Sequence, residues 1–225
     1  MKKFVVIVAG GSGSRMQSAV PKQFLLLKGK PVLYYTIDAF LKAYDDIKVI
    51  LVLSKDHVTA GQEIIDTFFD HSRIQITIGG QTRFHSVQNG LKLVEEDGVV
   101  FVHDAVRCMV SAALIQRCYE AVLEHGSAVP VIPSKDSVRI LTATGNEAME
   151  RDRVKLVQTP QVFYSRILLP AFNIDHNEKF TDEATVVEAS GQSIHLIEGE
   201  EHNFKITLLV DLELAEKLMT ERKVD

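Results

Sequence analysis

The sequence predicts an α/β domain built on a mainly parallel sheet flanked by helices. Three observations carry this expectation. The apolar runs KFVVIVA, IKVILVL and VVFVH are continuous rather than alternating, as strands buried on both faces must be. Helical apolar patterns separate them, which is the rhythm of strand, crossover helix and strand. Polar clusters follow three of the strand-like segments, where open parallel sheets bind their ligands.

Residues 3–9 read as the first strand and run into AGGSGSRM. PVLYYTIDAFLKA (31–43) reads as a helix with Pro31 in its first turn. Residues 47–53 are a strand, 56–69 an amphipathic helix and 74–79 a short strand. Gln81 to Val94 is helical, with Val87, Leu91 and Val94 on one face. A buried strand follows at 99–103, a helix at 111–125 and a strand at 128–132.

The rhythm breaks after residue 133. SKDSVRILTATGNEAMERDRVKLVQTP holds β-branched runs around a Thr-Gly-Asn turn and predicts a projecting β-arm, a hairpin over about 134–157. So polar a hairpin has little core of its own and is expected to pack against something, for which a second subunit is the natural candidate. A helix is expected at 165–172. Another, TDEATVVEAS (181–190), begins with a threonine cap and an acidic first turn. QSIHLIEG and NFKIT read as short strands, and DLELAEKLMTERK as a final helix capped by Asp211. No internal repeat or low-complexity linker divides residues 1–225, which are expected to form a single domain.

A chain of 225 residues that is 46% hydrophobic supports one substantial core. Its 25 basic and 30 acidic residues leave a net charge of −5, which argues against a general nucleic-acid binder but not against a local basic pocket. Cys108 and Cys118 have neither metal-ligand spacing nor a disulfide framework, and reduced thiols in a cytoplasm are the simplest reading. The opening MKKFVVIVAGG has the basic start of a signal peptide, yet its apolar run is short and a glycine loop follows at once. No run approaches ~18 apolar residues, so no membrane span is expected.

The segment VAGGSGSRMQSAVPKQ (8–23) carries the most information about function. A strand opening into Gly10, Gly11 and Gly13 brings bare backbone N–H groups close to an anion. Arg15 and Lys22 within the next dozen residues make a polyphosphate the expected anion. A dinucleotide fingerprint does not fit, because Pro21 interrupts the required helix and the second strand ends in Ser54 instead of an acid. A P-loop fails too, for want of Gly-Lys-Ser/Thr. The plainer alternative is an ordinary strand-to-helix turn.

HDAVR (103–107) follows a strand. An aspartate there, Asp104, can hold Mg²⁺ between triphosphate oxygens, and Arg107 can hold a second anionic group. The plainer alternative is a helix cap at Asp104 and a surface Arg107, with His103 packed as a structural histidine. In GGQTRFHSVQNGL (79–91), the carbonyls of Gly79 and Gly80 and the hydroxyl of Ser86 match the donor and acceptor pattern of cytosine. Arg151 and Arg153 flank Asp152 and also read as a solvated charge run, and TDEA as a mere cap. Lys205 in NFKIT is a basic residue in a late strand, where a buried ammonium needs an anion.

AGGSGSRM with PKQF, then GGQTRFHSV, HDAVR, DRVKLVQTPQVF, TDEA and NFKIT occur in that order over almost the whole chain. In this order the sequence resembles the 2-C-methyl-D-erythritol 4-phosphate cytidylyltransferase family of the non-mevalonate isoprenoid pathway. The resemblance implies a Rossmann-like nucleotidyltransferase (nucleotide-diphospho-sugar transferase-like) fold and a homodimer with interlocked β-arms. It also implies transfer of CMP from CTP to the polyol phosphate, with Mg²⁺ and release of pyrophosphate. By position, Arg15 and Lys22 stabilise charge on the α-phosphate. Ala9, Gly10, Gly11 and Gly13 line the nucleotide loop, while Gly80, Gln81 and Ser86 face cytosine and ribose. Asp104 binds metal and substrate, with Ala105 and Arg107 nearby. Thr159 and Lys205 complete the substrate side, and Arg153 with Ser137 reaches the polyol phosphate of the neighbouring subunit.

Three positions depart from the family pattern: Gln81 stands where many relatives have Asp, Ser137 where they have Thr, and Cys108 where they have Pro. The late motif runs into TLLVDL rather than the usual Thr-Pro-Glu-Asp-Leu-like run. A ribitol-5-phosphate cytidylyltransferase, a nicotinamide-dependent dehydrogenase and a non-catalytic nucleotide sensor are the competing readings. DRVKLVQTPQVF counts against the first, Pro21 against the second, and Arg15, Lys22 and Asp104 together against the third.

Overall fold

The computed structural model describes residues 1–10 and 20–221. Strand β1 (Lys2–Ala9) leads to two very short strands, β2 (Leu26–Leu27) and β3 (Lys30–Pro31), and then helix α1 (Val32–Ala43). β4 (Ile47–Leu53), α2 (Val58–Phe68), β5 (Ile74–Ile78) and α3 (Arg83–Leu91) follow. Next come β6 (Gly98–Asp104), α4 (Ala112–His125) and β7 (Ser127–Pro133). The arm is the hairpin β8 (Val138–Thr142) and β9 (Gly145–Met149). The chain returns through β10 (Lys155–Val157), β11 (Gln161–Tyr164), α5 (Ser165–Ala171), α6 (Glu183–Ala189), β12 (Leu196–Glu198) and α7 (Leu209–Glu221).

Among the described residues the main sheet has the order β10-β7-β11-β6-β1-β4-β5, with β12 beside β7. β1 pairs in parallel with β4 and β6, β4 with β5, and β7 with β12. β11 and β10 run antiparallel to their neighbours.

The continuous apolar strands have the predicted cause. Val5, Ile7 and Ala9 of β1 face one core with Leu33, Ile37 and Phe40 of α1 and Leu114 and Ile115 of α4. Phe4 and Val6 face the other, with Phe84 and Val87 of α3 and Val186 and Val187 of α6. A third cluster joins Leu27, Val32, Cys108, Met109 and Ile206 to Ala215 of α7. Glycine at 90 sets α3 close to the sheet, since a Cβ there would lie 2.6 Å from Val6 Cγ1 and 2.9 Å from Val52 Cγ2.

Four local expectations change. The third helix starts at Arg83 because Thr82 caps it, accepting from His85 N at 3.4 Å. α6 is capped by Asp182, not Thr181, in a capping box closed by Thr185. NFKIT is not a strand: Ile206 N donates to Val106 O at 2.9 Å, but no ladder forms around that bond. Asp211 caps α7 from inside its first turn, accepting from the backbone of Thr207 and Leu208 at 2.7 Å each. The arm is almost wholly exposed, Leu141 by 85%. Among the described residues no helix is long and apolar enough to cross a membrane.

Candidate active site

The carboxyl ends of β1 and β6 and the β5–α3 turn surround a cavity of about 480 Å³. β1 contributes Ala9, with Gly10 just after it, and the turn contributes Gly80, Gln81, Arg83 and Ser86. Asp104 and Ala105 come from the end of β6, and Lys22 and Lys205 also line the cavity. The described ends of the glycine segment, Ala9 with Gly10 and Lys22 with Gln23, therefore meet the other two polar clusters singled out in the sequence. Lys22 is seated by its neighbour: buried Gln23 donates Nε2 to Ala9 O at 2.7 Å and ties the Lys22–Phe24 turn to the end of β1.

The β5–α3 turn is closed from within. Gly80 N donates to Ser86 Oγ at 3.1 Å, and Ser86 Oγ donates to Thr82 O at 2.9 Å. A Cβ at Gly79 would lie 2.8 Å from Ser86 Oγ, so the hydroxyl needs glycine there. The Ser86 proton is thus engaged inside the turn, whereas the sequence reading aims it at a base.

Asp104 is 7% exposed and gathers cations. Arg83 Nε lies 3.3 Å from Oδ1, while Lys205 Nζ at 3.0 Å and Arg107 Nε at 3.5 Å approach Oδ2. Burial works to raise the Asp104 pKa, but Arg83, Lys205 and Arg107 outweigh it and hold the carboxyl well below the usual range. Asp104 therefore stays ionised. Arg83 also grips Glu183, Nη1 to Oε1 at 2.5 Å and Nη2 to Oε2 at 3.1 Å. Burial alone would strip charge from Arg83; Glu183 and Asp104 reverse that and hold its proton on. Burial pushes the Glu183 carboxyl up, and Arg83 offsets this only in part, so its pKa stays raised.

Arg107 and Thr159 stand behind Asp104 and not on the cavity wall. Arg107 is no surface residue: its Nη1 donates to Asn203 O at 2.8 Å, and Asn203 Nδ2 donates to Thr159 O at 2.8 Å. Asp104 N donates to Thr159 Oγ1 at 3.0 Å. Lys205 finds its anion in Asp104, although its side chain is 44% exposed and lies outside any strand. Sequence reasoning missed Gln23, Arg83, Glu183 and Asn203 as site residues. Arg83 and Glu183 sat inside quoted motifs, but a separation of 100 residues gives no local signal of contact.

His103 is fully buried, as a structural histidine should be. Its Nε2 lies 3.1 Å from Arg107 O, which only accepts, so Nε2 carries the proton and Nδ1 accepts from Thr159 Oγ1 at 3.1 Å. Burial pushes its pKa from 6.5 down to about 4. The unfolded chain then binds the extra proton first, so this contribution is complete above about pH 6.5 and is lost as the pH falls toward 4. Roughly 3 kcal/mol of stability is expected to disappear across that window. Urea unfolding of the wild type and His103→Asn at pH 7 and 4.5 checks this, since equal slopes in both proteins would clear His103 of the effect.

Gly11, Gly13 and Arg15 lie outside the described residues. Ser137 and Arg153 belong to the arm region and do not line the cavity. Ser137 borders a separate depression with Arg139 and Arg151, and Arg153 is exposed beside Glu150 at 3.9 Å. Among the described residues no three His, Cys, Asp or Glu side chains gather as a metal cage. Mg²⁺ is commonly bound through one or two carboxylates plus substrate phosphates, so a lone Asp104 on a wall of cations fits a metal that arrives with a polyphosphate.

The family model described as 2-C-methyl-D-erythritol 4-phosphate cytidylyltransferase matches residues 3–221. The protein of that name from Bacteroides thetaiotaomicron is 44% identical over 219 residues, 97% of this chain and 100% of that one. The crystal structure of 4-diphosphocytidyl-2C-methyl-D-erythritol synthase from Anaerococcus prevotii superposes with a TM-score of 0.85 at 26% identity, covering 97% and 96% of the two chains. The bifunctional IspDF from Campylobacter jejuni gives a TM-score of 0.80 at 29% identity over 95% of this chain and 54% of its own.

Proposed function

Because the chain belongs to the 2-C-methyl-D-erythritol 4-phosphate cytidylyltransferase family, we propose that its cavity transfers CMP from CTP to 2-C-methyl-D-erythritol 4-phosphate. The products are 4-diphosphocytidyl-2-C-methyl-D-erythritol and pyrophosphate. The observation that carries this reading is the pairing of Lys205 and Arg83 with Asp104 at the end of the parallel strands, in a cavity that Lys22 also lines. The acceptor phosphate already bears a nucleophilic oxygen at neutral pH, so the site needs no general base. Its task is to bring two polyanions together and to stabilise charge at the α-phosphate.

Lys22 faces that charge directly, with Arg15 assigned beside it by the family resemblance. Asp104 would hold Mg²⁺, which would supply positive charge against the triphosphate and ease the departure of pyrophosphate. Gly80 and Gln81 border the base and ribose, and Ala9 and Gly10 the nucleotide loop. Thr159 and Arg107 set Asp104 from behind. Cys108 and Cys118, buried and pushed up to about 12 by that burial, stay as inert thiols and suit a reducing cytoplasm.

The exposed arm supports a homodimer in which Arg153 and Ser137 of one subunit complete the acceptor side of the other. Arg153→Ala is then expected to raise KM for the polyol phosphate about tenfold or more while changing KM for CTP little. Mixing inactive Lys22→Ala with Arg153→Ala restores partial activity if the arm works across the dimer; verified heterodimers without restoration would exclude that. The function itself is tested by pyrophosphate release with each of four nucleoside triphosphates against methylerythritol and ribitol phosphates. Activity confined to CTP and the methylerythritol phosphate supports it, and preference for ribitol phosphate reassigns the acceptor.

A further inference from the structure

Glu183 is 1% exposed, yet the reaction as read above gives it no part. It opens α6, and its mounting is unusually firm. Gln161, also 1% exposed, donates Nε2 to Asp182 Oδ2 at 2.9 Å and accepts from Ala184 N at 2.8 Å, gripping the residues on either side of Glu183. Gln161 lies on β11 opposite Val102 of β6, two residues before Asp104. The first turn of α6 is thus fixed to the strand beside the one that ends in Asp104.

Glu183 takes both terminal nitrogens of Arg83, and only Nε is left to face Asp104, at 3.3 Å. Without Glu183, the guanidinium fork would be available to close bidentately on Asp104 or on any phosphate entering the cavity it lines. A buried ion pair is seldom more stabilising than well-packed apolar residues of the same size, so stability by itself accounts poorly for the arrangement.

We propose that Glu183 is a positioning residue for the transfer: it occupies the fork of Arg83, so that the guanidinium meets Asp104 through Nε alone and does not close bidentately on Asp104 or on the incoming polyphosphate. This rests on Asp104 serving the reaction as described above. Glu183→Gln keeps the shape and removes the charge. It is expected to lower kcat about tenfold or more, the scale of a misplaced catalytic environment, while both KM values stay within about threefold.

A second readout is the Arg83 Nε–H resonance in ¹⁵N NMR, assigned by its absence from Arg83→Lys. In the wild type it is expected to exchange slowly, and in Glu183→Gln it should shift and exchange fast. Wild-type kcat, a loss confined to KM, or a lowered kcat with an unchanged resonance would each overturn the proposal. If Glu183→Gln does not fold, Arg83→Lys carries the test, because one ammonium cannot span both carboxylates: a lowered kcat at unchanged KM supports the clamp and wild-type turnover overturns it. Asp104→Asn separates the two levels. Should it stay active, the role of Asp104 fails, whereas the Glu183→Gln resonance still reports whether Glu183 holds Arg83.

Discussion

Lys22→Ala is expected to lower turnover about 10²-fold or more, the cost of losing one strong donor aimed at developing charge. The residue lines the cavity, on a single turn fastened by Gln23 to the carbonyl of Ala9. That fastening matters to the interpretation. Because Gln23 remains in Lys22→Ala, the turn keeps its anchor and the loss reports the ammonium itself. KM for CTP should rise less than kcat falls, since charge on the α-phosphate grows toward the transition state. Pyrophosphate release at saturating CTP measures the effect. A variant with near-normal turnover would take Lys22 out of the mechanism.

Asp104→Asn is the second large effect, and it has two components. Turnover should fall about 10²-fold or more, because the one carboxylate that lines the cavity among the described residues is gone. Stability should fall as well, by about 3 kcal/mol, the usual cost of removing one partner from a buried charge cluster. Arg83 keeps Glu183, but Arg107 and Lys205 lose their carboxylate. Denaturant unfolding and pyrophosphate release on the same preparation separate the two. An Asn variant of unchanged stability would show that the cluster contributes no net free energy, and one of unchanged turnover would remove Asp104 from the chemistry.

Much of the molecule was legible before any coordinates. The strands buried on both faces, their polar carboxyl ends and the hairpin are written in short stretches of residues, as KFVVIVA and IKVILVL illustrate. NFKIT shows the limit of such reading: its pattern suits a strand, but strand formation needs a neighbour to pair with, and here Ile206 N meets Val106 O while Asn203 N turns back on Glu200 O, so no ladder forms. Thr181 and Asp182 both suit a cap, and the choice fell to Asp182, whose carboxylate also meets Gln161 of β11.

By itself, the sequence determined the layered α/β architecture, the family and the segments that deliver Lys22, Asp104 and Lys205, because apolar periodicity and ordered motifs are properties of neighbouring residues. Only the tertiary structure decided that Arg83 bridges Asp104 and Glu183, that Arg107 and Thr159 support the aspartate from behind, and that His103 stays neutral. These outcomes depend on distance and burial between residues up to 100 positions apart. Charge interactions scale with separation in space and with the exclusion of water, and neither quantity can be read along a chain.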